Sequence, residues 1–157
     1  MECLEEYLNI NSSYKDFYIK NNDEITTETV SSQSLYFYIC ADVEIILNSL
    51  NISPSKLGYR YWKDAVFIFI LNNGEHISIC NKIYPSIAKR YGKTSMSVER
   101  AMRICLENAM YYNSKKEQNF VYDHMKNYLL YPHNSEILAK LAELVVSREF
   151  QKIKYSL

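Results

Sequence analysis

Gly92, one of three glycines in the chain, stands inside IAKRYGKTSMSVERAMR, Ile87 to Arg103, with a helical apolar pattern on either side of it. That placement constrains the fold more than any other feature. Two helices joined by a tight turn need a small residue where they cross and a turn residue that tolerates positive φ. The second helix then needs an apolar residue to pin it. Ile87 and Ala88 precede the turn, Gly92 follows the alanine by four, and Val98 and Ala101 fall at the offsets a helix-turn-helix requires. All five positions fit.

The rest of the sequence points to helices as well. Three glycines and three prolines in 157 residues are too few for a loop-rich sandwich, and 48% hydrophobic with 23% charged residues are globular values. A chain of this length buries one core. Apolar residues at Ile39, Val43, Ile46, Leu47 and Leu50 recur at helical spacing from Leu35 until SPSKLG breaks the pattern. A second helix is predicted from a cap-like Ser53, with Pro54 at its first position, to a stop at Asn73 and Gly74. Its Val, Phe and Ile would suit a strand equally well; length and caps decide for helix. Further helices are predicted at Ile77 to Tyr91, Ser95 to Tyr112, about Gln118 to Leu130, and Asn134 to about Phe150, the last capped by Asn134 or Ser135. The expectation is an all-α compact bundle of about six helices containing a helix-turn-helix. It forms one domain over 35–157 behind a short acidic N-terminal extension over 1–34, where LEEYL has the pattern to start a short helix.

A formal net charge of zero hides a segregation along the chain. Met1 to Leu50 carries nine acidic and two basic residues, whereas Asn81 to Lys116 carries eight basic and two acidic ones. A basic centre behind an acidic head suits an anionic partner. The head reads as a solvated tail or as an arm that lies on the basic helices and mimics phosphates; salt sensitivity separates the two.

The chemistry concentrates in the second helix of the motif. Thr94 or Ser95 is a natural N-cap. At about 100° per residue, Val98, Ala101, Met102, Cys105 and Ala109 share one side, while Met96, Arg100, Arg103 and Glu107 cluster opposite, flanked by Ser97 and Glu99. The candidate base-facing residues are therefore Ser97, Glu99, Arg100 and Arg103, placed where a helix in a major groove reads base edges. Lys89, Arg90, Lys93, Thr94 and Ser95 are candidates to face phosphate. Such a helix equally serves as a protein-interaction surface.

Other classes find less support. His76, His124 and His133 pair with no carboxylate or cysteine at catalytic or ligand spacing, and no phosphate loop or nucleophile elbow appears, so no enzyme, metal or cofactor is expected. Cys3, Cys40, Cys80 and Cys105 lack CxxC spacing and read as small buried core residues. Fifteen tyrosines could stack on single strands, but Tyr59, Tyr61, Trp62, Tyr84 and Tyr91 sit where helices pack. No charged leader follows MECLEEYLNI, and the longest apolar run, AVFIFIL, is far short of the about 20 residues that span a bilayer. The protein is expected in the cytoplasm.

Taken in order, GYRYWKDAV, IYPSIAKRYGKTSMSVERAMRICLENA and PHNSEILAKLAELV resemble the C-terminal effector domain of the sporulation initiation response regulator of endospore-forming bacteria. The resemblance runs from about Asp42 to Glu149. It implies a six-helix domain whose helix from near Ser95 enters the major groove of tandem DNA sites, with Glu99, Arg100 and Arg103 at DNA-contacting positions. Where that family carries a base-reading arginine, this chain has Ser97, too short for a bidentate guanine contact; such a contact is worth about 1–3 kcal/mol of discrimination. The space before Asp42 cannot hold the family's receiver domain, so control by its own phosphorylation is not expected. The resemblance implies a DNA-binding transcriptional regulator, with double-stranded DNA as partner, RNA polymerase or another regulator as a second, and a dimer on tandem sites. The alternative is a protein-interaction module of the same fold that modulates such a regulator without reading DNA.

Overall fold

The computed structural model describes residues 32–72, 77–113, 120–130 and 133–157. Among them there are helices and no strands: α1 (Ser32–Ser49), α2 (Leu57–Leu71), α3 (Tyr84–Tyr91) entered through a π-helical turn (Ile79–Ile83), α4 (Ser95–Asn113), α5 (Phe120–Leu129), α6 (Asn134–Val145) and α7 (Arg148–Ile153), closed by a 3-10 turn (Lys154–Ser156). The acidic extension up to Ser31, with LEEYL and Cys3, falls outside the described residues, as do Asn73, Gly74, His76, Lys115 and Lys116.

α2 is the central element, packed by α1, α4 and α6. Tyr61, Trp62, Ala65, Val66, Phe67, Ile70 and Leu71 are all buried, so apolar residues face every side of it. A helix enclosed in this way needs no polar face, which is why its sequence carries a strand-like run. AVFIFIL is thus an interior segment, and no helix among the described residues is long and apolar enough to cross a membrane.

Several boundaries differ from expectation, each for a local reason. α1 ends at Ser49, and Asn51 just beyond it adopts the left-handed conformation (φ 57°). Its N–H bonds Asn48 O at 2.9 Å and that of Ile52 bonds Leu47 O at 3.0 Å, the double closure that satisfies a helix's last carbonyls. α2 begins at Leu57, not at Pro54. Ser53 caps no helix: its hydroxyl meets Ser55 Oγ at 2.8 Å, and Lys56 N–H closes a turn on Ser53 O at 3.1 Å. The helix also ends at Leu71, two residues before the expected stop at Asn73.

The predicted helix from Ile77 starts instead at Ser78, whose side chain accepts Asn81 N–H at 3.2 Å. Its first turn is π-helical because Pro85 lacks an N–H for Asn81 O and its ring crowds that carbonyl, so the turn widens ahead of it. This turn leaves Cys80 exposed while Cys40 and Cys105 are buried, so the expectation of an all-core cysteine set fails at Cys80. Burial raises the Cys40 thiol to about 12. The last predicted helix breaks after Val145. Ser147 donates to Leu144 O at 2.8 Å and accepts Phe150 N–H at 3.2 Å, ending α6 and starting α7 with one hydroxyl. The break folds the C-terminus back onto α1. Lys154 Nζ meets Asp42 Oδ1 at 3.1 Å with both side chains 5% exposed, and Gln151 Nε2 donates to Asp42 Oδ2 at 2.9 Å.

Candidate nucleic-acid interface

Gly92 ends α3 with φ 63°, ψ 41°, a conformation that a side chain would strain. Nothing lies within 4 Å of where a Cβ would stand, so the requirement for glycine is conformational and not steric. Its N–H and that of Lys93 both reach Ala88 O, the latter at 2.9 Å. Thr94 then caps α4: its Oγ1 accepts Ser97 N–H at 3.2 Å and its carbonyl accepts Val98 N–H at 3.1 Å. Three residues therefore separate the two helices. Ile87, Ala88 and Val98 are buried at the crossing and Ala101 is partly buried, so the five-position pattern describes a real seam.

The rest of the molecule fixes α4 from its inner side. Trp62, fully buried on α2, donates from Nε1 to Met102 O at 3.0 Å. Gly58, one turn earlier, lies against α4 so closely that a Cβ there would collide with the Ala101 carbonyl and reach Cys105 Sγ. From α6, Asn134 donates to Tyr84 Oη at 2.9 Å and to Glu99 O at 3.3 Å, joining both helices of the motif. It is therefore not the helix cap that its sequence position suggested. His133 occupies the cap position and makes no side-chain cap bond, and the amide of Asn134 is turned inward.

The outer face of α4 divides into paired and open groups. Arg103 is held at both ends, with Nε 3.2 Å from Glu99 Oε1 and Nη1 3.1 Å from Glu107 Oε1. The hydrogen bonds it donates to Glu99 and Glu107 push its guanidinium to still higher pKa. Arg100 is exposed and enters no ion pair among the described residues, and the same is true of Lys89 and Lys93 on and after α3. Ser97 is exposed, but its hydroxyl donates to Thr94 O at 2.9 Å. Ser95 is partly buried in the first turn.

Arg90 stands apart from the other candidates. Its Nη1 meets Asp64 Oδ1 at 3.0 Å and Tyr36 Oη at 3.1 Å, and its guanidinium lies over the rings of Tyr36 and Tyr91 at 5.2 and 5.5 Å. Asp64 is 3% exposed and also accepts from Tyr36 at 2.6 Å and Tyr91 at 2.7 Å. Burial first, and then the hydrogen bond to this carboxylate, raise both phenols well above the ordinary tyrosine range. One edge of Arg90 thus neutralises a buried acid and ties α3 to α1 and α2. Local spacing carried no sign of this, although a lone aspartate inside WKDAVFIFIL was a visible anomaly.

Two helices crossing at a tight glycine turn, the second capped and held against the core by one buried and one partly buried side-chain hydrogen bond, with arginines on its outer face, define a helix-turn-helix domain. Residues 43–145 match the family described as sporulation initiation factor Spo0A C terminal, and the chain belongs to that family. Its members are helical DNA-binding effector domains of a sporulation regulator, not an enzymatic family. No solved structure matches the chain.

Proposed function

We propose that the chain regulates transcription by binding double-stranded DNA with the N-terminal half of α4 in the major groove. The observation that carries this reading is Arg100: exposed, unpaired among the described residues, and borne on a helix whose backbone Trp62 and Asn134 hold in place. Arg100 and Arg103 donate to base edges or phosphates. Glu99 orients Arg103 and accepts from a base, and Ser97 retains lone pairs for a short contact. Lys89, Lys93 and the capped start of the helix at Thr94 and Ser95 face phosphate. Arg90 contributes the part of its guanidinium that Asp64 leaves open. A dimer on tandem sites and contact with RNA polymerase or another regulator complete the activity.

Arg100→Ala is expected to weaken DNA binding by about 1–3 kcal/mol, or about five- to 150-fold, in fluorescence anisotropy across a salt series. Its thermal stability stays within about 0.5 kcal/mol of the parent, as for other exposed sites. Unchanged affinity for every duplex tested would overturn the assignment.

One observation favours a second reading. Glu99 and Glu107 together match the charges of Arg100 and Arg103, so the outer face of α4 is locally balanced. A balanced face of this kind suits a protein partner, and the chain would then modulate a related regulator without touching DNA. Capture from host lysate that persists after nuclease treatment supports this second reading; capture abolished by nuclease supports the first.

A further inference from the structure

We infer that Met96 reads a pyrimidine 5-methyl group, that of thymine in unmodified DNA, and thereby adds one position to the sequence preference of the chain. The inference rests on the DNA-binding reading above. Met96 is 82% exposed, more than Ile104, the other exposed large apolar residue among the described side chains of α4. A single exposed apolar residue is ordinary on a protein surface, so exposure alone carries little. Its position carries more. Met96 lies one and two turns ahead of Arg100 and Arg103 on the same face, and helical side chains lean toward the N-terminus, so it covers the leading tip of that face.

Thr94 and Ser97, beside that tip, are engaged with the helix itself. Thr94 Oγ1 accepts the Ser97 N–H, and the Ser97 hydroxyl donates to Thr94 O at 2.9 Å. One turn further on, Glu99 and Arg103 hold each other at 3.2 Å. What projects beyond them at the tip is a thioether. It offers almost no hydrogen-bonding capacity, and the apolar feature on the major-groove edges of unmodified base pairs is the thymine methyl. An unbranched, polarizable side chain adapts well to such a group. 5-Methylcytosine presents the same methyl, so a modified cytosine is the other source of this chemistry.

The test begins by selecting duplexes from a randomised pool with the full chain, then replacing each thymine of the selected site by deoxyuridine. One position is expected to lose about fourfold in affinity, the effect of withdrawing a single buried methyl group. Met96→Ala binds the thymine and deoxyuridine duplexes alike, while Met96→Leu keeps the preference. Placing 5-methylcytosine and then cytosine at that position distinguishes a thymine reader, which needs the whole base, from a reader of the methyl in either base. The inference is overturned if the parent binds its selected site but no thymine responds to loss of its methyl. It is overturned equally if Met96→Ala retains the discrimination; in both cases DNA binding itself stands. If no duplex is enriched or bound at low salt, the DNA reading fails and this inference fails with it.

Discussion

Lys154→Met is expected to lower the unfolding free energy by about 3–5 kcal/mol, the cost of leaving one member of a buried ion pair without its partner. Asp42 and Lys154 are each 5% exposed and 3.1 Å apart. With the ammonium gone, Asp42 keeps the hydrogen bond from Gln151 and has no counter-charge from Lys154. A loss of this size lowers the melting temperature by about 6–20 °C in a domain of this length. In urea the midpoint falls while the slope is preserved, because the surface exposed on unfolding is unchanged. Asp42→Leu combined with Lys154→Met regains most of the loss, since apolar residues of similar volume replace a buried pair at little cost. A single variant within about 0.5 kcal/mol of the parent would show that the C-terminal turn does not brace α1.

Gly58→Ala bears directly on α4. The added Cβ meets the Ala101 carbonyl and, at 2.5 Å, Cys105 Sγ. A flexible side chain could rotate away, but a helix backbone cannot. Trp62, four residues along α2, is buried and bonded to Met102 O, so the two helices cannot slide apart without breaking that bond. Overpacking costs about 1–3 kcal/mol in ordinary cores, and contact with backbone puts Gly58→Ala at or above the top of that range. Amide exchange in α4 accelerates, and DNA affinity falls with the displaced helix. Adding Cys105→Ala removes the sulfur and restores only part of the stability, because the carbonyl of Ala101 remains. Full rescue by Cys105→Ala would mean that the sulfur alone sets the spacing.

Much of the architecture was legible from local pattern. The helix-turn-helix at Ile87 to Arg103 was legible because its requirements are local: a small residue, a left-handed turn and an apolar pin at fixed offsets. The same holds for the buried side of α4, where Val98, Met102, Cys105 and Ala109 recur at helical spacing and are buried. The boundaries were harder. Ser53 and Pro54 have the chemistry of a helix start but form a turn of their own. Ser147 has the chemistry of a cap, yet it falls inside an apolar periodicity that continues on both sides of it.

The sequence by itself determined that this chain is helical, that a tight turn at Gly92 sets α4 directly after α3, and that basic residues gather around it. These follow from contacts between residues three or four apart, where side-chain type and spacing leave few alternatives. The tertiary structure alone decided which polar groups meet between helices. Arg90 meets Asp64 across 26 positions, Trp62 meets Met102 across 40, Asn134 meets Tyr84 across 50, and Lys154 meets Asp42 across 112. No periodicity encodes such pairs, because each depends on where two helices cross. A polar atom is buried at least cost where that crossing brings it a partner; Asn134 Nδ2 and Gln151 Nε2 find theirs, while the Oδ1 and Oε1 of the same amides stay buried without one.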